Sequence, residues 1–263
     1  MPTVEFDTQD FLALLGSDLS IEELEQAIPM IGVSLESISE ESLSVEVFPN
    51  RPDMLSVEGF ARALRGFLGV ETGIVEYPVA DSSIVLKVDA SVKSVRPYVA
   101  AAQIDGVTID DAQLKSLMNV QEKLHTTHGR NRVKVAIGVH DSDKIKPPYV
   151  YKAVAPGEAS FIPLEMTEKM NLSEILTKHP KGAAYAFTLK GLKKYPVILD
   201  SKGDVLSFPP IINGELTRVT ESTKNLFIEV TGWHELSVKQ ALNIVVSSIA
   251  DRGGKIKSVE ISL

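Results

Sequence analysis

The sequence predicts an α+β protein in which a small N-terminal α+β module precedes a larger, sheet-rich α/β module. Three observations predict it. Apolar residues recur at helical spacing over residues 55–68 and 236–249, and they alternate with polar residues in short runs such as SLSVEVFP and KIKSVEISL. The stretch ETGIVEYPVADSS, rich in turn formers, interrupts both patterns and places a module boundary near residue 80.

In the first module, residues 1–80, Thr8 is placed to cap a short helix that runs through Leu15 to Gly16. Ser20-Ile21-Glu22-Glu23 reads as a capping box opening a second helix. SLSVEVFP then reads as a half-buried strand, and a helix over residues 55–68 sets Val57, Phe60, Ala61, Leu64 and Leu68 on one face. The second module, residues 81–263, begins with the strand-like SIVLKVD and RPYVAAAQIDGVTI, followed by a helix from Asp110 or Asp111 to about Thr127. KVAIGVHD, YVYKAV, YPVILD, DVLSFPP and NLFIEVTG read as short strands, two of them joined by a hairpin turn at Ser201-Lys202-Gly203-Asp204. A last helix spans Leu236 to Ile249, Gly253-Gly254 stops it, and KIKSVEISL alternates as a final strand.

Composition narrows the function classes. With 44% hydrophobic and 24% charged residues and 17 glycines in 263, the chain is neither disordered nor collagen-like. The absence of cysteine excludes a disulfide framework, a thiolate nucleophile, iron-sulfur clusters and cysteine-ligated zinc, and it fits a cytoplasmic setting. No run approaches 18 apolar residues and the start lacks a basic, apolar leader, so neither a membrane span nor a secretory signal is expected. The 27 basic and 35 acidic residues give a net charge of -8, which argues against nucleic-acid capture by the overall field. The charge is uneven: residues 1–80 hold 15 acidic and 3 basic residues, leaving the second module at +4.

Few residues stand out chemically. Of five histidines, His125 and His128 are spaced to share a helix face, but no further zinc ligands accompany them, and no metal site is expected. Without Gly-x-Ser-x-Gly, Gly-x-Gly-x-x-Gly or a P-loop, serine-hydrolase, dehydrogenase and kinase readings lose support. Arg130, Arg132 and Lys134 concentrate positive charge before an apolar strand, either as a phosphate dock or as a solvated turn. His140 is either a packed strand-end residue or one facing a pocket mouth. In NLFIEVTG, alternation favours an outward, solvated Glu229; if that face instead lines a cavity, Glu229 and Thr231 share one wall. Ser207, Asn213 and Thr217 lie around the Pro209-Pro210 kink in what composition marks as an ordinary loop.

FPNRPDMLSVEGFARALRGFLG, with Asn50-Arg51-Pro52-Asp53, Ser56-Val57-Glu58-Gly59 and Ala61-Arg62, resembles the N-terminal module of phenylalanine-tRNA ligase (phenylalanyl-tRNA synthetase) beta subunits. QEKLHTTHGRNRVKVAIGVHDSDKIK, VLSFPPIINGELTRVT and NLFIEVTG resemble the archaeal and eukaryotic editing domain of that family, so the resemblance covers nearly the whole chain. It implies an N-terminal structural domain over residues 1–80, a B3/B4-type editing domain over residues 81–263, and an N-terminal fragment without the aminoacylation site. The implied activity is hydrolysis of tyrosine wrongly esterified to tRNA(Phe). By the same resemblance Glu229 reads the tyrosine hydroxyl, Ser207 and Asn213 line the substrate pocket, and His140 and Thr231 take catalytic or pocket positions. Arg130, Asn131 and Arg132 are the implied partners of the tRNA terminus. Editing is expected to need no cofactor, whereas the full enzyme is expected to use ATP and magnesium and to pair with an alpha subunit in a heterotetramer. The alternative is a non-enzymatic RNA or amino-acid binding module, or a subunit-assembly module.

Overall fold

The structure, a computed structural model describing residues 2–263, begins with three short antiparallel strands. Thr3–Asp7 pairs with Ser42–Glu46, which pairs in turn with Ser34–Ile38. Their inward residues Val4, Phe6, Leu43 and Val45 join a core with Phe11, Leu15 and Phe60 from helices Thr8–Leu15 and Val57–Leu68. The Phe60 ring lies 5.5 Å from those of both Phe6 and Phe11.

The caps show how sequence becomes local structure. The Ser20–Glu23 capping box forms as expected. Asp7, not Thr8, caps the first helix: its carboxylate accepts from the Asp10 amide at 2.8 Å. Thr8 is buried and donates instead to the Ser39 carbonyl, so its hydroxyl is turned away from the helix amides. The next long helix starts at Val57, two residues later than its apolar spacing suggests, because Pro52–Leu55 forms a separate 3-10 turn and Ser56 caps through the Gly59 amide.

Two larger sheets follow, the first of them taking in Val79–Ala80 at the expected boundary near residue 80. The five-stranded one has the order Val79–Ala80, Lys255–Ser258, Tyr98–Asp105, Asn225–Gly232, Val135–Asp141. The six-stranded one has the order Ile212–Asn213, Val205–Phe208, Tyr195–Leu199, Tyr149–Val154, Val85–Val88, Glu260–Ser262. Along the central strand Asn225–Gly232, alternation sends Leu226, Ile228 and Val230 into the core with Val238, Ala241 and Val245 of helix Glu235–Ala250. Phe227 points the other way, into a core with Tyr149, Tyr151 and Ile198 of the six-stranded sheet. The five-stranded sheet is therefore a middle layer covered on both faces.

KIKSVEISL, expected as one strand, divides into two, the first in the five-stranded sheet and the second in the six-stranded one. Val79–Ala80 and Val85–Val88 divide in the same way and run parallel beside them. The layers meet at this edge, where the Ser82 amide donates to Ser258 Oγ at 3.2 Å, so one alternating run serves both sheets. The hairpin turn forms as expected, with Gly203 at φ +86° and the Asp200 carboxylate accepting from the Lys202 and Asp204 amides. The region between residues 155 and 194, silent in the sequence pattern, holds a two-stranded ribbon and helices Leu172–Lys178 and Pro180–Tyr185.

The acidic first module meets the second through ion pairs. Arg252 bonds Asp10 at 2.7 Å and also Glu58, while Asp251 takes Arg62 and, at 2.7 Å, the Tyr77 hydroxyl. Among the described residues no helix is long and apolar enough to cross a membrane.

Gly59 lies where the 3-10 turn meets the following helix, and a Cβ there would sit 1.9 Å from the Asp53 carbonyl oxygen. Backbone cannot yield to backbone without shifting the turn, so Gly59→Ala is expected to destabilise the chain by about 1–3 kcal/mol in urea denaturation. Gly66→Ala in the same helix would meet nothing closer than 3.8 Å. It is expected to stabilise by about 0.5–1 kcal/mol.

Candidate functional site

A cleft of about 460 Å³ lies among helix Asp111–Thr126, the loop over residues 208–219 and the five-stranded sheet, with Glu229 in its lining. That volume suits a small organic ligand, for which about 300–1,000 Å³ is usual. The outward reading of Glu229 is overturned: the residue is only 2% exposed, because its strand belongs to a layer covered on both sides.

Around this carboxylate the structure gathers several residues that sequence singled out. Ser207 Oγ donates to Glu229 Oε1 at 3.0 Å, whereas Oε2 is buried with no hydrogen-bond partner among the described residues. His140 is wholly buried, and its Nδ1 is bonded to Thr217 Oγ1 at 2.8 Å. Its Nε2 stands 3.9 Å from Glu229 Oε1, also without a hydrogen-bond partner. Thr217 donates to the Gly214 carbonyl at 3.2 Å, which leaves its oxygen to accept from Nδ1. In the neutral ring that assignment makes Nε2 an acceptor. Asn213 lines the cleft and donates to the Val139 carbonyl at 3.2 Å.

Thr231 shares the Glu229 face of the strand but is held away from the cleft by Arg96. Arg96 Nε donates to Thr231 Oγ1 at 2.9 Å, one η nitrogen to the Thr231 carbonyl at 2.8 Å, and the other to the Val133 carbonyl at 3.1 Å. Burial pulls this guanidinium down to about 10, against the opposing pull of Tyr151 and Glu229, so it is a cation at neutral pH.

The basic turn splits in exposure. Arg130, Asn131 and Arg132 have φ of 49°, 53° and 66°, three successive left-handed residues. Each costs about 1–2 kcal/mol for a side chain other than glycine. The Arg132 amide bonds the His125 carbonyl at 3.0 Å, tying the turn to the helix end. Arg130 and Asn131 stay exposed, while Arg132 is buried and lines the cleft. Its η nitrogens donate to the Ile211 carbonyl at 2.9 Å and Glu122 at 3.0 Å, its Cζ lies 4.3 Å from the Tyr185 ring centroid, and its Nε has no partner among the described residues.

His125 and His128 do not form a pair. His125 Nε2 accepts from the Ile137 amide at 2.8 Å, and His128 Nε2 is bonded to the Ser237 carbonyl at 3.0 Å. Among the described residues no three His, Asp or Glu side chains gather as metal ligands do. Burial pushes His125 down to about 4, against the nearby Glu122. Glu122 itself is held down to about 2 by the His125 ring and the Arg132 guanidinium.

Arg96 and Gly138 were not singled out by sequence. Arg96 carried a faint signal, a cation before proline at the head of an apolar strand. Gly138 carried a clearer one, a glycine inside a strand of valines and isoleucine, the usual mark of a close approach.

Comparison with known proteins places this geometry in a class. Residues 92–254 match the model of the B3/4 domain family. The phenylalanine--tRNA ligase beta subunit of Methanococcoides burtonii is 49% identical over 261 residues, covering 99% of this chain and 48% of the relative. That of Methanosarcina barkeri is 50% identical over 261 residues, covering 99% and 47%. The crystal structure of an N-terminal fragment of the phenylalanyl-tRNA synthetase beta-subunit from Pyrococcus horikoshii superposes with a TM-score of 0.94 at 42% identity, over 99% of this chain and 76% of that one. The chain belongs to the phenylalanyl-tRNA synthetase beta-subunit family and carries its B3/4 domain. It spans about half the length of the curated relatives it matches.

The buried histidine gives a measurable consequence. As pH falls, the unfolded chain protonates His125 near 6.5 while the folded chain resists until about 4. Its neutral burial therefore erodes stability between those values, by about 3 kcal/mol in all. His125→Gln retains an acceptor for the Ile137 amide and is expected to flatten this part of the pH dependence in urea unfolding at pH 7 and 4.5.

Proposed function

We propose that the cleft hydrolyses the ester of tyrosine mischarged onto tRNA(Phe). The observation that carries this reading is the Glu229 carboxylate, buried in the cleft lining with one oxygen unpartnered. A synthetic site built around phenylalanine cannot strongly exclude a near-isostere that only adds a hydroxyl; discrimination is then about 100-fold. A second site succeeds by the opposite logic, holding a polar group that the hydroxyl satisfies and that phenylalanine leaves unpaired. Water attacks the ester carbonyl, the bond to the ribose oxygen breaks, and tyrosine and uncharged tRNA leave. An ester needs mainly a positioned water and stabilisation of the developing oxyanion, so no covalent nucleophile is invoked.

In this reading residues 1–80 are the structural module and residues 81–263 the editing module. Arg130 and Asn131, exposed on the left-handed turn, meet the tRNA, and Arg132 faces its terminus from inside the cleft. The whole enzyme pairs this subunit with an alpha subunit and uses ATP and magnesium for aminoacylation, while editing uses neither. A second reading, amino-acid binding without turnover, draws on the complete burial of His140, which keeps its ring from bulk water.

Deacylation of Tyr-tRNA(Phe) tests both readings. Glu229→Ala is expected to lower kcat/KM for tyrosine release by about 10–100-fold, the worth of a hydrogen bond to a charged group. Release of phenylalanine is expected to stay at its low level. Unchanged discrimination would remove Glu229 as the reader, and tyrosine binding without release would favour the second reading.

A further inference from the structure

Gly138 sits directly across the sheet from Glu229 in register. A Cβ at this position would stand 2.4 Å from Glu229 Oε1 and 2.8 Å from His140 Nε2. Both distances are well inside carbon–oxygen and carbon–nitrogen contact. The atoms it would strike are all ends of side chains, and no backbone atom is among the nearest three. The bare Cα of Gly138 is therefore the floor on which the carboxylate and the imidazole lie flat.

The consequences concern the ligand. With no side chain beneath them, Glu229 and His140 pack against the strand, and Glu229 Oε2 and His140 Nε2 are buried without hydrogen-bond partners among the described residues. A methyl group at 138 would lift the carboxylate off the strand and toward the cleft, occupying the space that a ligand hydroxyl needs. Resting on the editing reading above, we propose that Gly138 is the positioning residue that sets the cleft's preference for a para-hydroxyl. It acts through Glu229 and His140 and does not touch the ligand. The substrate class it selects is an aromatic amino acid bearing a hydrogen-bond donor at the ring's far end.

The backbone is expected to accommodate the substitution, because Gly138 does not adopt a left-handed conformation and the nearest atoms are side-chain atoms. The test uses the 263-residue chain and measures binding of free L-tyrosine and L-phenylalanine by calorimetry. Gly138→Ala is expected to weaken tyrosine binding about 10–200-fold, the range for one misplaced methylene, and to leave phenylalanine binding little changed. Adding Glu229→Asp to Gly138→Ala shortens the displaced carboxylate by one methylene and is expected to restore part of the tyrosine preference. A merely structural role for Gly138 would weaken both ligands alike and would gain nothing from that second change.

A Gly138→Ala variant with the wild-type tyrosine-to-phenylalanine preference overturns the inference and leaves the editing reading standing. A wild-type chain with no preference for tyrosine overturns both. If tyrosine is preferred and Gly138→Ala abolishes the preference, but the wild-type chain releases no tyrosine from tRNA, the inference holds and the hydrolytic reading fails.

Discussion

A carboxylate held inside the middle layer of a three-layer stack constrains everything around it. Removing Glu229 from water is costly unless its charge finds partners, and an unsatisfied buried acceptor alone costs about 1–3 kcal/mol. Ser207 answers one oxygen from the six-stranded sheet, so the bond that steadies the carboxylate also bridges two sheets. Arg96 supplies a buried positive charge on the same face and is held by carbonyl and hydroxyl oxygens, with no carboxylate among its hydrogen-bond partners. Its charge is thus not neutralised by a close ion pair and remains to act on Glu229. Sheet packing and site chemistry are one arrangement here, and loss of either disturbs the other.

The uneven charge of the two modules follows a related logic. An acidic module set beside a mildly basic one is drawn to it, and at the junction Arg252 lies between Asp10 and Glu58. The pairing is reciprocal, since Arg62 of the first module reaches Asp251 of the second. One apolar core runs through both, from Val4 and Phe60 to Val245 and Ile256. Breaking one of these pairs would leave a charge with little solvent, which is why such contacts fix the register of two surfaces more than they add to stability.

What could be read from sequence was what local chemistry decides. The Ser20–Glu23 box, the Asp110 start of the long helix and the Gly203 turn each satisfy their own backbone groups within a few residues, so their signals survive without tertiary context. Glu229 was misread by alternation because period two reports which residues share a face, not whether that face is covered; the covering sheet is distant in sequence. KIKSVEISL misled for a similar reason, since a run that alternates cleanly can be shared between two sheets. The family resemblance named Ser207, Asn213 and His140, and the structure gathers them around Glu229 and the cleft; it also shows Thr231 bonded to Arg96, a partner that no local pattern announces. Arg132 turned inward because its left-handed backbone reverses the chain, a conformation that an arginine does not advertise.

The cleft is polarised along its length. Among the described residues its unpartnered buried atoms at one end include the acceptor Glu229 Oε2, with His140 Nε2 adjoining; beside the helix end they are donors, Arg132 Nε and His125 Nδ1, the latter fixed as N–H by the Ile137 amide on the opposite nitrogen. Buried groups of this kind favour whichever ligand satisfies all of them at once, and they penalise a reversed one by the full cost of leaving each unpaired. In the proposed reading a ligand hydroxyl donates its single hydrogen to Glu229 Oε2 while carbonyl or phosphate oxygens accept at the other end, which fixes one orientation. Orientation is the precondition for ester cleavage, since a water held for attack is useful only if the carbonyl is brought to it each time. In the proposed reading the same pattern disfavours an apolar ring at the Glu229 end, because shape cannot compensate a buried acceptor left dry.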